Sequence, residues 1–305
     1  MIYTSENNWY SWNYGDGPKF GRQLKDEKLH TSYSKFKGSV SSFSDELLKT
    51  ASSTLDYYPN IRPSILFSGG VDSEIVLRSY LKIGANPKVY IIRYENDYNI
   101  YDVSYAITIC SLLNVEYTII DFNLKKFYEN DAEKISELAQ VCRPRALPQC
   151  KFMDLVDGLP ILGSSDLTGV RTNDDYSKKG TWLIRCWEHD IGWSKYLHET
   201  NRHGIAEWFK WSPGLVISFT QMQWFDKITN DKYYGKLGFN STKIIGYRET
   251  YPDLIERRKQ TGFEKVDPLI NEFELFLKTK YKGLPFRQYV DRTIDELRTE
   301  ILHEM

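Results

Sequence analysis

Short apolar segments alternate with amphipathic segments through the middle of the chain. Segments rich in β-branched residues predict strands at 64–67, 88–93, 115–121 and 159–163. Apolar residues at helical spacing predict helices at 42–57, 72–84, 101–113, 129–141 and 147–157. Ser44 is the expected N-cap of the first helix. This alternation is typical of right-handed βαβ units, and it predicts an α/β fold with a doubly wound parallel sheet.

The two ends of the chain differ from this regular middle. Residues 1–42 are polar and aromatic and contain several glycines, which predicts an irregular arm or a small hairpin. After residue 176, six tryptophans fall among mostly helical patterns. We therefore expect an N-terminal arm at 1–42, an α/β core at 43–176, and a helical C-terminal region at 177–305 that closes the binding crevice.

Composition narrows the class of protein. Lys and Arg number 40 and Asp and Glu 41, so the net charge is −1, which argues against a nucleic-acid partner. The four cysteines, Cys110, Cys142, Cys150 and Cys186, include no Cys-x-x-Cys pair, and we expect reduced thiols. Since no signal peptide and no long apolar run is visible, we expect a cytoplasmic protein without membrane contact.

The segment Ser68-Gly69-Gly70-Val71-Asp72-Ser73 joins the first predicted core strand to a helix. Two glycines let the backbone approach a ligand closely and adopt positive φ. The first N–H groups of a helix and its dipole favour an anion, and Ser68 and Ser73 add hydroxyl donors. Asp72 would repel a phosphate alone, so we expect Mg²⁺ between the carboxylate and the phosphate. The sequence therefore predicts a phosphate site at the end of this strand.

A second candidate segment, Gly163-Ser164-Ser165-Asp166, follows the fourth predicted core strand. Because the carboxyl ends of parallel strands share one edge, Asp166 is expected near Asp72. Two carboxylates and phosphate oxygens together are a usual Mg²⁺ site. An N-cap role is the common alternative for such an Asp, but the neighbouring loop favours the metal role.

The third candidate segment is Arg257-Arg258-Lys259-Gln260-Thr261-Gly262-Phe263. Adjacent cations alone often form only a solvated surface. This segment resembles the Arg-x-Lys-x-Gly-Phe segment of asparagine synthetases, with one additional residue between Lys259 and Gly262. The Ser68–Ser73 segment resembles the pyrophosphate loop of the ATP pyrophosphatase superfamily. Over roughly residues 43–265, the chain is thus similar to the synthetase domain shared by asparagine synthetase and β-lactam synthetase.

That resemblance implies an adenine nucleotide α hydrolase-like fold and an AMP-forming, ATP-dependent carbon–nitrogen ligase. It implies that ATP contacts the ends of the core strands and the loop, at Leu66, Ser68, Gly69, Gly70, Asp72, Ser73, Ile92 or Arg93, Gly163 and Ser164. Leu66 and Ile92 or Arg93 would lie near the adenosine, and Gly163 and Ser164 beside the substrate or the α-phosphate. Asp72 and Asp166 would hold Mg²⁺, and Lys259 would stabilise charge on the phosphates. The implied partners are a small-molecule acid and an amine or ammonia.

Two departures from the family limit what the resemblance implies. Glutamine-dependent asparagine synthetases have a nucleophilic Cys after Met1 and a glutaminase domain, whereas position 2 is Ile here and the loop already begins at residue 68. We therefore expect free ammonia, another amine or a separate amidotransferase subunit as the nitrogen source. The family's Gly-x-Gly-x-Asp-Glu turn is shortened, and Leu167 follows Asp166. The acceptor acid stays open, as does assembly into a homo-oligomer.

Two other functions fit parts of the pattern. A tRNA- or nucleobase-modifying member of the same superfamily would normally show a reactive cysteine pair and a basic surface, and this chain shows neither. A non-catalytic nucleotide-binding protein would not need the loop, Asp166 and Lys259 together. The ligase is therefore the leading hypothesis.

Overall fold

The computed structural model describes residues 3–14, 28–140, 143–164, 169–171, 182–222, 244, 246–257, 261–280 and 289–302. The strands are β1 (Tyr3–Thr4), β2 (Tyr10–Tyr14), β3 (Leu29–Tyr33), β4 (Pro63–Leu66), β5 (Lys88–Tyr94), β6 (Thr118–Phe122), β7 (Leu159–Leu162), β8 (Gly169–Arg171), β9 (Trp182–Trp187) and β10 (Tyr289–Thr293). The α-helices are α1 (Phe43–Tyr57), α2 (Val71–Lys82), α3 (Ile100–Leu112), α4 (Leu124–Asn130), α5 (Ala132–Ala139), α6 (Leu147–Asp154), α7 (Glu188–Glu199), α8 (Pro213–Thr220), α9 (Asp267–Lys280) and α10 (Ile294–Ile301).

A four-stranded parallel sheet with the order β6-β5-β4-β7 forms the centre of the protein. The chain adds β5 and then β6 on one side of β4, and later places β7 on the other side. In such open sheets, a crevice forms at the carboxyl ends of the two strands between which the strand order reverses. Here these strands are β4 and β7. The predicted α/β fold with a doubly wound parallel sheet is confirmed.

Both faces of this sheet are covered by helices. Alternate residues of the central strand point to opposite faces, so that Ile65 lies in one apolar core and Leu66 in another. The first core receives side chains from α1, α2, α3, α8 and α10, and the second from α4, α5, α6, α7 and α9. Burial on both faces explains why β4 and β7 are almost continuously apolar.

Several element boundaries differ from the sequence-based prediction. Ser42, and not Ser44, caps α1, because its side chain accepts a hydrogen bond from the N–H of Asp45. The single helix predicted at 129–141 is two short helices, α4 and α5, separated at Asp131. The third core strand begins at Thr118, three residues later than predicted.

The regions outside the core contain more strand than predicted. Described residues of the N-terminal arm form a three-stranded antiparallel sheet, β1-β2-β3, with its tryptophans buried. The C-terminal half combines helices with a second antiparallel sheet, β10-β9-β8. Aromatic and β-branched residues favour strands when a neighbouring segment supplies the pairing edge, and that pairing is not visible in local periodicity.

Two further sequence expectations concern the cysteines and membrane-spanning segments. Cys110, Cys150 and Cys186 are buried free thiols, and Cys142 lies outside the described residues. Across the described ranges, no helix is long and apolar enough to span a bilayer.

Candidate functional site

The loop between β4 and α2 requires glycine at its second position, Gly69. Gly69 has a φ of +72°, and a Cβ there would overlap the carbonyl oxygen of Asp102 and lie 3.0 Å from the amide nitrogen of Ala106. The loop therefore lies directly against α3. Gly70 then takes an extended conformation as the N-cap of α2.

The first turn of α2 directs its N–H groups out of the helix end. Hydrogen bonding within the helix begins with the N–H of Glu74, which donates to the carbonyl of Gly70 over 3.1 Å. The two loop serines lie together, with 3.2 Å between the hydroxyls of Ser68 and Ser73. Ser73 also donates to the carbonyl of Gly70 over 2.9 Å. These contacts bring N–H groups and two hydroxyl groups together at the carboxyl end of the central strand.

Asp72 projects from the second position of α2 and is partly buried. Its Oδ1 accepts a hydrogen bond of 2.8 Å from the hydroxyl of Tyr247. Tyr247 is 1% exposed and stacks against Phe43 and Phe209, so its hydroxyl is rigidly placed. Sequence reasoning missed Tyr247, because nothing near it in the sequence marks it as a partner of a residue 175 positions away.

The end of β7 lies against the first turn of α2. A Cβ on Gly163 would lie 2.6 Å from the Cα of Ser73, so glycine is required for this close approach. Ser164 follows, and its hydroxyl donates to the carbonyl of Ala206 over 2.7 Å. The structure thus places Gly163 against the first turn of α2, and Ser164 follows it at the same end of the strand. Asp166 lies outside the described residues.

An apolar cavity of about 140 Å³ opens beside the loop, at the ends of β4, β5 and β7. Leu66 and Ile92, which the resemblance placed near adenosine, both line it. Arg93 does not belong to this lining, because its guanidinium donates to both carboxylate oxygens of Asp121 over 2.6 and 2.9 Å. Of the two alternatives, Ile92 is therefore the residue at the cavity.

Polar side chains at the end of β5 complete the cavity wall. Asn99 accepts a 2.8 Å hydrogen bond from the N–H of Tyr94 and donates to the carbonyl of Ile92 over 2.9 Å. These bonds hold the strand end and the start of α3 in one arrangement. Asp102 lines the same cavity and is 8% exposed. Neither Asn99 nor Asp102 stood out in the sequence, because a single polar residue in a helical segment has no distinguishing pattern.

The segment that contains Lys259 is described at both of its ends. On the C-terminal side of Lys259, Gly262 has a φ of +81°, and a Cβ there would lie 2.8 Å from the carbonyl carbon of Tyr98. This contact places Thr261 and Phe263 on the wall of the cavity. Lys259 itself lies outside the described residues.

On the N-terminal side of Lys259, Arg257 is held at the first turns of α2. Its Nη2 lies 2.6 Å from Oε2 of Glu74, whose side chain is 1% exposed. Oε1 of the same carboxylate accepts from Nε of Arg78 over 2.7 Å. Burial alone would lower the pKa of Arg78, but its hydrogen bonds to Glu74 and Asp253 raise it, so the guanidinium stays charged.

Comparisons with known proteins add little to this geometry. No family model matches the chain, and no curated protein matches it. Among solved structures, the chain is similar to NMN synthetase from Francisella tularensis, with 15% identity over 80% of this chain and 95% of that chain and a TM-score of 0.34. A similarity this low does not define the function of the site. The described residues themselves define an α/β protein with a donor-rich glycine loop beside an apolar cavity at the crevice of its parallel sheet.

Proposed function

We propose that the protein is an ATP-dependent ligase that adenylates a carboxylate substrate and then forms an amide or another C–N bond, with release of AMP and pyrophosphate. One observation carries this proposal. The Ser68–Ser73 loop lies at the carboxyl end of the central strand, against Gly163, which follows β7, and beside the apolar cavity. Phosphates at the loop and a base in the cavity would place the α-phosphate between them, at the crevice.

The described donors suit a nucleotide in this orientation. The N–H groups at the start of α2 and the hydroxyls of Ser68 and Ser73 would bind the phosphate end. The apolar walls that Leu66, Ile92 and Phe263 supply would contact the adenine ring. Lys259 would add charge stabilisation on the phosphates.

The donor set also fits Mg²⁺. In the described part of the chain, no three His, Cys, Asp or Glu residues come together as a complete metal site. Asp72 with the nearby serine hydroxyls is an oxygen-only set, and Mg²⁺ commonly combines one or two carboxylates with substrate phosphates. Asp72 and, by proposal, Asp166 would hold the ion. A bound Mg²⁺ would neutralise charge on the phosphate oxygens.

The proposed reaction has two steps. An oxygen of the acceptor carboxylate attacks the α-phosphorus, and the bond to the β-phosphate oxygen breaks, which yields an acyl-adenylate and pyrophosphate. A nitrogen nucleophile, ammonia or an amine, then attacks the acyl carbon and displaces AMP. The loop donors would stabilise the charge that develops on the leaving pyrophosphate. Exclusion of water from the crevice would protect the adenylate from hydrolysis.

Nucleotide products test this proposal directly. The protein is incubated with ATP, Mg²⁺, ammonia and a panel of small carboxylic acids, and AMP, ADP and pyrophosphate are quantified. We expect AMP and pyrophosphate in equal amounts, and a loss on the order of 100-fold for Asp72→Ala. Asp295→Ala is the matched control, because Asp295 occupies the same second helical position in α10 and is exposed.

Three outcomes would contradict the ligase. ADP as the product would mean that ATP is cleaved between its β- and γ-phosphates. Binding of ATP without pyrophosphate release, with every acid and amine tested, would favour a non-catalytic nucleotide-binding protein. Equal activity of Asp72→Ala and the wild type would remove the loop from the chemistry.

A further inference from the structure

A buried arginine beside the loop carries donors that no described group satisfies. The side chain of Arg257 is 5% exposed, and its Nη2 donates to Glu74. Its Nε and Nη1 are also buried and have no hydrogen-bond partner among the described residues. Buried guanidinium N–H groups without a partner are costly, so they indicate that an acceptor belongs there.

The charge around Arg257 leads to the same conclusion. One buried carboxylate, that of Glu74, faces two guanidinium groups, from Arg78 and Arg257. The other partner of Arg78 is Asp253, whose side chain is 67% exposed and therefore solvated. The start of α2 adds the positive end of its dipole. Counted with Asp253, the four side chains are neutral; without that exposed carboxylate, the buried part of the cluster holds two guanidinium groups and one carboxylate, which favours an anion.

The position of Arg257 connects it to the loop. Glu74, its partner, directly follows Ser73, and the N–H of Glu74 bonds to the carbonyl of Gly70. Four residues after Arg257, Thr261 lines the apolar cavity. The chain from Arg257 to Thr261 therefore begins at the first turns of α2 and ends at the cavity wall.

We infer that Arg257 is a phosphate-binding residue, and that the N–H groups which Glu74 leaves unsatisfied donate to the pyrophosphate part of ATP and to the pyrophosphate that leaves. This inference rests on the proposed function and adds a specific residue to it. Arginine suits this role because it is always charged and donates in fixed directions to phosphate oxygens. Glu74 is then a positioning residue that holds the guanidinium against α2.

The competing interpretation is a purely structural ion pair between Glu74 and Arg257. Such a pair would attach the segment before Thr261 to α2 without touching a ligand. Its loss would lower stability but would leave the affinity for pyrophosphate unchanged. Ligand affinity and stability therefore separate the two interpretations.

Isothermal titration of the full chain with Mg²⁺–pyrophosphate and with Mg²⁺–ATP tests the inference. Arg257→Lys keeps the charge and loses the guanidinium geometry, and Arg257→Gln keeps an N–H donor for Glu74 and loses the charge. We expect pyrophosphate affinity to fall at least about tenfold in Arg257→Lys and further in Arg257→Gln. Arg78→Lys is the matched control, because Arg78 contacts the same carboxylate but has a second partner in Asp253.

The outcomes distinguish the inference from the proposed function. If the wild type binds both ligands and either folded Arg257 variant binds pyrophosphate as tightly as the wild type, the inference is overturned while the ligase stands. If Arg78→Lys weakens pyrophosphate as much as Arg257→Lys does, a structural role for the cluster replaces the inference. If the wild type binds neither ligand, the proposed function itself fails. Thermal melts of each variant show whether it is folded.

Discussion

Replacement of Gly69 by alanine tests the central geometry of the site, the contact of the loop with α3. Gly69 and Gly84 have nearly the same positive φ, +72° and +76°. A Cβ at Gly84 meets no atom within 4 Å, whereas a Cβ at Gly69 meets backbone atoms of Asp102 and Ala106. The two alanine variants therefore share the conformational cost and differ only in the steric one.

The expected costs follow from these two contributions. A single alanine in the left-handed region costs about 1–2 kcal/mol, which is the whole effect expected for Gly84→Ala. Overlap with packed atoms adds about 1–3 kcal/mol, so Gly69→Ala should lose roughly 2–5 kcal/mol. Because the backbone of Asp102 cannot move without moving α3, we expect the loop to shift and ATP affinity to fall.

Urea denaturation measures the free energy of unfolding of both variants, and titration with Mg²⁺–ATP measures their affinity. Gly84→Ala should bind ATP like the wild type, because Gly84 lies at the opposite end of α2 from the loop. Equal destabilisation of the two variants would refute the reasoning, since it would show that the loop does not lie against α3. Normal ATP affinity in a destabilised Gly69→Ala would separate the loop from the nucleotide.

Two further predictions concern other parts of the structure. Tyr247→Phe should lose about 1.5–3 kcal/mol, the usual range for a hydrogen bond to a charged group, and should weaken Mg²⁺–ATP binding. Tyr128→Phe, which loses a bond to the carbonyl of Pro144, should leave ATP binding unchanged, and equal ATP affinity in both variants would contradict the role of Asp72. Burial, with a smaller contribution from the Glu207 carboxylate, raises the pKa of Glu6 from 4.5 to about 7. The folded protein then holds a proton that the unfolded chain releases in this range, so stability falls as pH rises from about 4.5 to 7, and thermal melts should show a smaller fall in Glu6→Gln.

The local sequence pattern was sufficient to predict the parallel core and the loop. Strand and helix periods are properties of neighbouring residues, and they identified the four core strands and the helices between them. Gly69, Gly70 and the neighbouring serine hydroxyls also lie close together along the chain. The sequence alone therefore indicated a turn that needs glycine. The predicted N-cap of α1 was wrong, because a capping hydrogen bond decided it. Ser42 and Ser44 both precede acidic residues, and only the hydrogen bond from Asp45 to Ser42 distinguishes them.

The sequence by itself thus determined an α/β core and a glycine loop with hydroxyl and carboxylate groups at the end of one strand. The shared carboxyl edge predicted Gly163 near that loop, and only the tertiary structure decided its contact with Ser73 and the contacts of Tyr247 with Asp72 and of Arg257 with Glu74. These partners are up to 183 positions apart along the chain. Their contacts arise because parallel strands share one carboxyl edge and because the C-terminal half folds back over it. The geometry of the crevice is therefore a property of packing, whereas the chemistry of the loop is a property of six consecutive residues.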